Sequence, residues 1–310
     1  MASTAITVGK IDAGVGRIVL RLHGSSAVFS ELSSTYPLKL LSPRIEQDGV
    51  AVVYNMSYGG GLVGGDRIQL SVDIGSGASL VVLTQASRGS TKVFKTRPGA
   101  RASTRNASEI TEQRMTVSVA DGGAIFLLPD PVTCFRAASY NQLQAFHLAR
   151  GASAVLLDWV TAGRKSLGEE WSFARYYSLN EVVVEGKRVA RDVMCLEEQG
   201  ENAGPLERRT LCERLAPYSC YATVILWGPL VDGVVTDLEA AYRDITVFRR
   251  NAPPSLLWSL SPLVESSSSR QGRIVRVAGK ETEQVKHWLA DALRALEEVI
   301  GTDVYRKAFV

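Results

Sequence analysis

Three stretches of the chain alternate apolar and polar residues one by one: Arg17 to Leu22, Arg67 to Ile74 and Arg114 to Val119. That is the period of a strand with one buried face. Glycine-rich punctuation separates such stretches at Asp48-Gly49, Gly75-Ser76-Gly77, Asp121-Gly122-Gly123, Arg150-Gly151 and Glu185-Gly186. Segments 72–84, 117–129 and 146–158 share one order: strand, glycine turn, small residue, apolar run, polar or proline exit. A fainter copy covers 47–54. The exits fall at Tyr54, Thr84, Pro129 and Asp158, which are 30, 45 and 29 residues apart. A near-constant spacing of this kind fits strand pairs stacked as coils. A run of ordinary hairpins with similar turns fits it equally. If the units stack, Thr84, Gln85, Asp130 and Asp158 lie along one edge. The longest spacing holds the segment 88–106, read as an inserted loop.

Helical periodicity appears only late. Thr236 and Glu239 have the spacing of a capping box, followed by Leu238, Ala241, Tyr242, Ile245 and Phe248 on one face. A second helix is expected from Glu281 to Ile300, with the stripe Val285, Trp288, Leu289, Ala292, Leu296 and Val299 and with Gly301 just past its end. Polar loops are expected at 200–205 and at the serine run 266–269. The predicted fold is therefore mainly β. It is a stacked, β-helix-like or layered strand architecture with two α-helices towards the C-terminus, in a single domain over 1–310.

Composition narrows the function classes. Of 310 residues, 35 are Lys or Arg and 32 Asp or Glu, so the net charge of +3 is too small to require nucleic acid or an anionic membrane as partner. Only 3 His and 4 Cys are present, against 27 Gly, which argues against a tight His/Cys metal centre. Cys134, Cys195, Cys212 and Cys220 form no CxxC pair and read as reduced thiols. No secretory signal and no membrane-length apolar run stand out, so a cytoplasmic location is expected.

Gly59 to Gly64 matches GxGxxG, yet a strand pattern rather than a helix follows it. The dinucleotide reading fails there, because the pyrophosphate needs a helix N-terminus. The segment from Arg88 to Arg105 carries Arg88, Lys92, Lys95, Arg97, Arg101 and Arg105 with no acidic residue. It reads as a solvated loop or as a docking surface for an acidic partner. Its only aromatic residue is Phe94, which disfavours single-stranded nucleic acid. The remaining chemical signal is a set of carboxylates at strand exits: Asp66, Asp130, Asp158, Glu169 and Glu170. Paired carboxylates on a stacked β scaffold would also suit a carbohydrate-active hydrolase. His23, His147 and His287 are isolated in sequence.

Six segments form an ordered set: the run from Tyr58 to Asp66, Leu83 to Ser87 with Thr91 to Lys95, Leu128 to Val132, Asp158-Trp159, Gly163-Arg164, and Gly168 to Phe173. Together they resemble the urease accessory protein D family (UreD, also called UreH), in its plant or fungal branch. They occur in the family's order, over roughly residues 35 to 250. One departure stands in the second segment: Arg88-Gly89-Ser90 interrupts a stretch that the family writes without a break, so that either Ser87 or Ser90 holds the family's serine position.

The resemblance implies a protein without catalytic activity of its own. It implies action with UreF-like and UreG-like (GTPase) partners on apo-urease, and nickel delivery to the urease active site. It implies no tightly bound cofactor, only transient Ni2+. A tunnel for the ion, also implied, would be lined here by Asp66, Thr84, Gln85, Ser87, Asp130 and Glu169. Gly61, Gly65 and Arg164 would shape the path. Arg88, Lys92, Lys95 and Arg97 would offer a basic surface to a partner, and Asp158, beside Trp159, would be structural.

Overall fold

In the computed structural model the described residues are 12–84, 90–95, 110–198, 209–245, 254–263 and 272–309. The glycine-turn repeat is a stack. Strands Val50–Ser57, Ser79–Thr84, Ala124–Leu128 and Ser153–Thr161 lie side by side and parallel. Their starts, Val50, Ser79, Ala124 and Ser153, stand in one row. Each of the last three follows, across a tight glycine turn, a strand of a second sheet: Arg67–Ile74, Thr111–Val119 and Ser139–Leu148. The turns stack too, and the Gly151 amide donates to Asp121 Oδ1 at 2.8 Å.

The outer sheet has seven strands. Its middle five, Arg175–Val184, Ser139–Leu148, Thr111–Val119, Arg67–Ile74 and Val15–His23, run parallel, and an antiparallel strand closes each edge. The central sheet extends the four stacked strands with the antiparallel strands Leu38–Leu41 on one side and Cys220–Trp227, Arg273–Gly279 and Leu256–Pro262 on the other. Helices form a third layer.

Burial follows from these three layers. Outer-sheet strands alternate because one face meets solvent, as in Arg67–Ile74. Ser153–Thr161 is buried throughout because both its faces are covered. Leu80, Val82, Ile125 and Leu156 face the outer sheet with Val72, Val117 and Phe146. Val81, Phe126 and Val155 face the helical layer with Val234, Leu238, Val285 and Leu289.

Three expectations are corrected. The earlier helix runs from Asp232 to Arg243, so Thr236 is inside it rather than capping it. Its hydroxyl donates back to the Asp232 carbonyl at 2.9 Å, and Glu239 accepts from Arg273 instead. The start was hidden because a short 3-10 turn, Pro229–Val231, leads into the helix without a side-chain cap. A genuine capping box opens the short helix Leu211–Leu215, through Thr210 and Glu213. Second, the expected helix from Glu281 to Ile300 is divided. Thr282–Ala292 gives way to a 3-10 turn, Arg294–Leu296, then to Glu297–Ile300, and a further helix Thr302–Ala308 follows Gly301. Leu293, Leu296 and Ile300 all remain in the core across the break. Third, the segment read as an inserted loop contributes a strand, Thr91–Phe94, paired with Val132–Cys134 and Leu62–Val63. Phe248 and the loops at 200–205 and 266–269 lie outside the described residues. No helix among the described residues is long and apolar enough to cross a membrane.

Candidate functional site

The two sheets enclose a cavity of about 70 Å3 at the end remote from the glycine turns. Its position follows from how the inner face of the outer sheet changes along its strands. Near the turns the inward row is Ile18, Val72, Val117, Phe146 and Val182, in direct register. One step further it is Leu70, Met115, Gln144 and Asn180, and one more gives Ile68, Gln113, Gln142 and Ser178. Apolar packing thus yields to amides and hydroxyls, and the layers no longer close on each other. The opposite wall is made by the exits of the stacked strands, where Thr84, Pro129, Asp130, Asp158 and Trp159 line the cavity.

Asp158 is its chemical centre. The residue is 7% exposed. Its carboxylate accepts from Gln142 Nε2 at 3.1 Å, Tyr176 Oη at 3.2 Å, Asn180 Nδ2 at 2.7 Å and Ser178 Oγ. Tyr140 Oη donates to Gln113 Oε1 at 3.0 Å and extends the network. Burial pushes the Asp158 carboxyl above the ordinary carboxylate range, against the opposing pull of the Ser178, Asn180, Tyr176 and Gln142 bonds. Burial also pushes the Tyr140 and Tyr176 phenols and the Cys134 thiol upwards, so these three stay neutral beside it.

Nearer the outside, Thr84 and Asp130 form a second pair. Thr84 Oγ1 donates to Asp130 Oδ2 at 3.1 Å and accepts from the Asp130 amide at 2.6 Å. Lys92, half-buried on the strand Thr91–Phe94, also lines the cavity. Gly61 lines it as well, and its backbone lies so close to that strand that a Cβ would sit 2.6 Å from the Lys92 carbonyl oxygen. No His or Cys lines the cavity among the described residues.

Of the expected path residues, Thr84 and Asp130 come together here, with Gly61 and Lys92. Asp66 and Glu169 do not. Asp66 Oδ2 accepts from the Val63 amide at 2.9 Å and the Asp66 amide donates back to the Val63 carbonyl, so it closes a turn through Gly65 at φ +87°. Glu169 is held by Arg164, whose Nε and Nη2 donate at 2.7 and 2.8 Å, with Arg136 at 3.5 Å. The Arg164 guanidinium also lies 4.3 Å from the centre of the Phe135 ring. This pair clamps the small hairpin formed by Gly163–Arg164 and Glu169–Glu170. Gly163→Ala will loosen the clamp: φ is +114° and an added Cβ would meet the Glu169 carbonyl oxygen at 2.4 Å. We expect a cost of about 2 kcal/mol in urea unfolding. Lys95 is exposed at the end of its strand. Gln85, Ser87, Arg88 and Arg97 lie outside the described residues.

Sequence reasoning missed Gln113, Tyr140, Gln142 and Gln144 and read Asp158 as structural alone. The available signal was the strand Ser139–Leu148. Its alternate positions run Tyr140, Gln142, Gln144, Phe146, Leu148, so one face begins polar and ends apolar. The GxGxxG run forms a 3-10 turn, Tyr58–Gly60, and a short strand, Leu62–Val63.

The family model described as UreD urease accessory protein matches residues 13–308. The chain is 37% identical to urease accessory protein 4 of Cryptococcus neoformans var. grubii, over 92% of this chain and 91% of that protein. It is 31% identical to urease accessory protein D of Oryza sativa subsp. indica, over 98% and 97%, and 31% identical to that of Arabidopsis thaliana, over 94% and 99%. Agreement over nearly the whole length, including every strand around the cavity, leaves a single assignment: the chain belongs to the UreD urease accessory protein family.

Proposed function

We propose that this urease accessory protein is a nickel-delivery scaffold: with UreF-like and UreG-like (GTPase) partners it binds apo-urease and lets Ni2+ pass through the cavity between its sheets. The observation that carries the reading is the cavity's donor set. Carboxylate, hydroxyl and amide oxygens line it, with neither imidazole nor thiolate among the described residues. Such oxygens hold a borderline transition-metal ion more weakly than imidazole or thiolate ligands do, so the ion enters and also leaves. The hydrolase alternative needs two carboxyl groups flanking an open groove. Asp158 is instead buried and occupied by four donors.

Within this reading Thr84 and Asp130 form the outer part of the path. Asp66, Glu169 and Arg164 support its walls, and the exposed Lys95 meets a partner. The protein carries out no turnover of its own, and its GTP-dependent partner places the work in the cytoplasm. The test is urease activation in cells lacking the endogenous protein and supplied with Thr84→Val or Asp130→Ala. At limiting nickel we expect activation to fall several-fold, with recovery in excess nickel. Full activation by both variants at limiting nickel would sink the proposal.

A further inference from the structure

An edge strand leaves one row of backbone N–H and C=O groups without a strand to pair with. The two large sheets end in Leu38–Leu41, Leu256–Pro262, Ser26–Ser34 and Lys187–Glu197. The first carries only Lys39, the second no charge and the third only Glu31. The fourth carries both signs, separated end to end: Lys187, Arg188 and Arg191 in its first half, Glu197 at its close and Glu198 just after. From Arg191 onwards it alternates strictly. Arg191, Val193, Cys195 and Glu197 are exposed on the outer face, while Asp192, Met194 and Leu196 turn inwards. Asp192 is spent on Arg276, and Met194 and Leu196 pack on the core. Val193, 40% exposed, continues an apolar row from Leu143 and Leu179. Among the described residues only Arg175–Val184 pairs with this strand, and Arg214 reaches the Glu197 carbonyl at its end. Charges of one sign along an edge repel a second copy. Two signs separated end to end attract one, because an antiparallel partner runs reversed.

We propose that Lys187–Glu197 pairs antiparallel with the same strand of a second copy of this chain, about a two-fold axis at Met194, joining two outer sheets edge to edge. In that register Arg191 lies opposite Glu197 of the second copy, twice by symmetry. Val193 lies opposite Cys195 of the second copy. All four residues share the outer face, as direct opposition requires. The apolar row Leu143, Leu179, Val193 then runs on into Cys195 and Tyr177 of the second copy. Arg191 is only loosely held within its own chain, 3.8 Å from a Glu181 carboxylate that Arg188 shares at the same distance. Arg175 Nε donates to Glu197 Oε2 at 3.1 Å, which leaves Oε1 for the partner. Moving the axis by one residue sets Arg191 against Cys195 or beyond the strand end, and both ion pairs are lost.

The experiment is sedimentation equilibrium of the full chain, of Arg191→Glu, of Glu197→Arg and of an equal mixture of the two variants. The parent chain should show a monomer–dimer equilibrium. Each variant alone sets two like-charge pairs across the axis and should weaken the dimer about tenfold. In the mixture one chain offers two carboxylates and the other two guanidinium groups, so pairing should return to within about threefold of the parent. Thermal unfolding identifies a variant that fails to fold, and Val193→Cys then decides. Directly opposite Cα atoms in an antiparallel pair are about 4.5–5.5 Å apart, within reach of a disulfide. Mild oxidation of Val193→Cys should therefore give a covalent dimer that adding Cys195→Ser abolishes. A parent chain that stays monomeric overturns the pairing. So do a dimer indifferent to both charge changes, a mixture no better than its components, and a Val193→Cys chain that gives no covalent dimer. A monomeric parent whose charge variants lose a UreF-like partner gives the edge to that protein and equally overturns self-pairing.

Discussion

Phe126→Ala will cost about 3–5 kcal/mol and move the urea midpoint far down with little change in slope. Phe126 is fully buried on the strand Ala124–Leu128, between parallel neighbours Val81 and Val155. Its ring belongs to the layer shared by the central sheet and the helices, with Val224, Leu238 and Leu289. Four rows of backbone hydrogen bonds hold the surrounding strands in place, so the sheet has little freedom to close over the lost volume. The cavity left behind adds its own term to the lost burial. A loss below about 1 kcal/mol would mean that the helical layer does not cover this strand.

Asp158→Ala should be almost as damaging, for a different reason. Removing the carboxylate strands four donors at once: Gln142 Nε2, Tyr176 Oη, Ser178 Oγ and Asn180 Nδ2. Each unmet buried donor costs about 1–3 kcal/mol. Water entering from the adjoining cavity relieves part of this, so we expect about 3–4 kcal/mol in total at neutral pH. The pH dependence separates this variant from an ordinary packing defect. Burial is the main cause that raises the Asp158 carboxyl, so the folded chain holds this proton more tightly than the unfolded chain does. Stability from that proton is fully present below the ordinary carboxylate value of 3.8 and is lost as pH rises through the higher folded value. The hydrogen bonds to Asp158 oppose burial without reversing its sign, and no group bonded to it titrates over this range. Tyr140, Tyr176 and Cys134 are held neutral, and Gln142, Ser178 and Asn180 do not titrate. The gap between parent and Asp158→Ala should therefore be widest in acid and narrow towards neutral pH. Urea unfolding at steps from pH 4 to 7 measures it. A gap that widens with pH would refute the buried-proton account.

The stack was legible because each glycine turn precedes an apolar run of similar length, and the predicted exits Tyr54, Thr84 and Pro129 fall within one residue of a single row. Two sets of residues were not. The helix from Asp232 has no side-chain cap, so local sequence pointed to Thr236, four residues late. The inner polar row was hidden because both faces of Ser139–Leu148 mix polar and apolar residues. Gln142 and Gln144 look like solvent positions until Asp158, Ser178 and Asn180 arrive from other strands. Asp66 and Glu169 carried the closest motif matches. A motif records which residue stands at a position, however, and not whether its charge is already spent on a turn amide or on Arg164.

The graded inner face also bears on how the chain finds its alignment. In a stack of similar parallel strands, apolar rows tolerate sliding, because one branched side chain substitutes for another. A displacement of Ser139–Leu148 by one position would turn Gln142 outwards and bring Asn141 or Leu143 against Asp158. A displacement by two would set Tyr140 or Gln144 opposite Ser178 in place of Gln142. Either error leaves the carboxylate short of donors, so the network penalises misaligned copies that hydrophobic packing alone would accept. The opening between the sheets thus costs little in fold definition, since the groups that hold it open are those that index the coils.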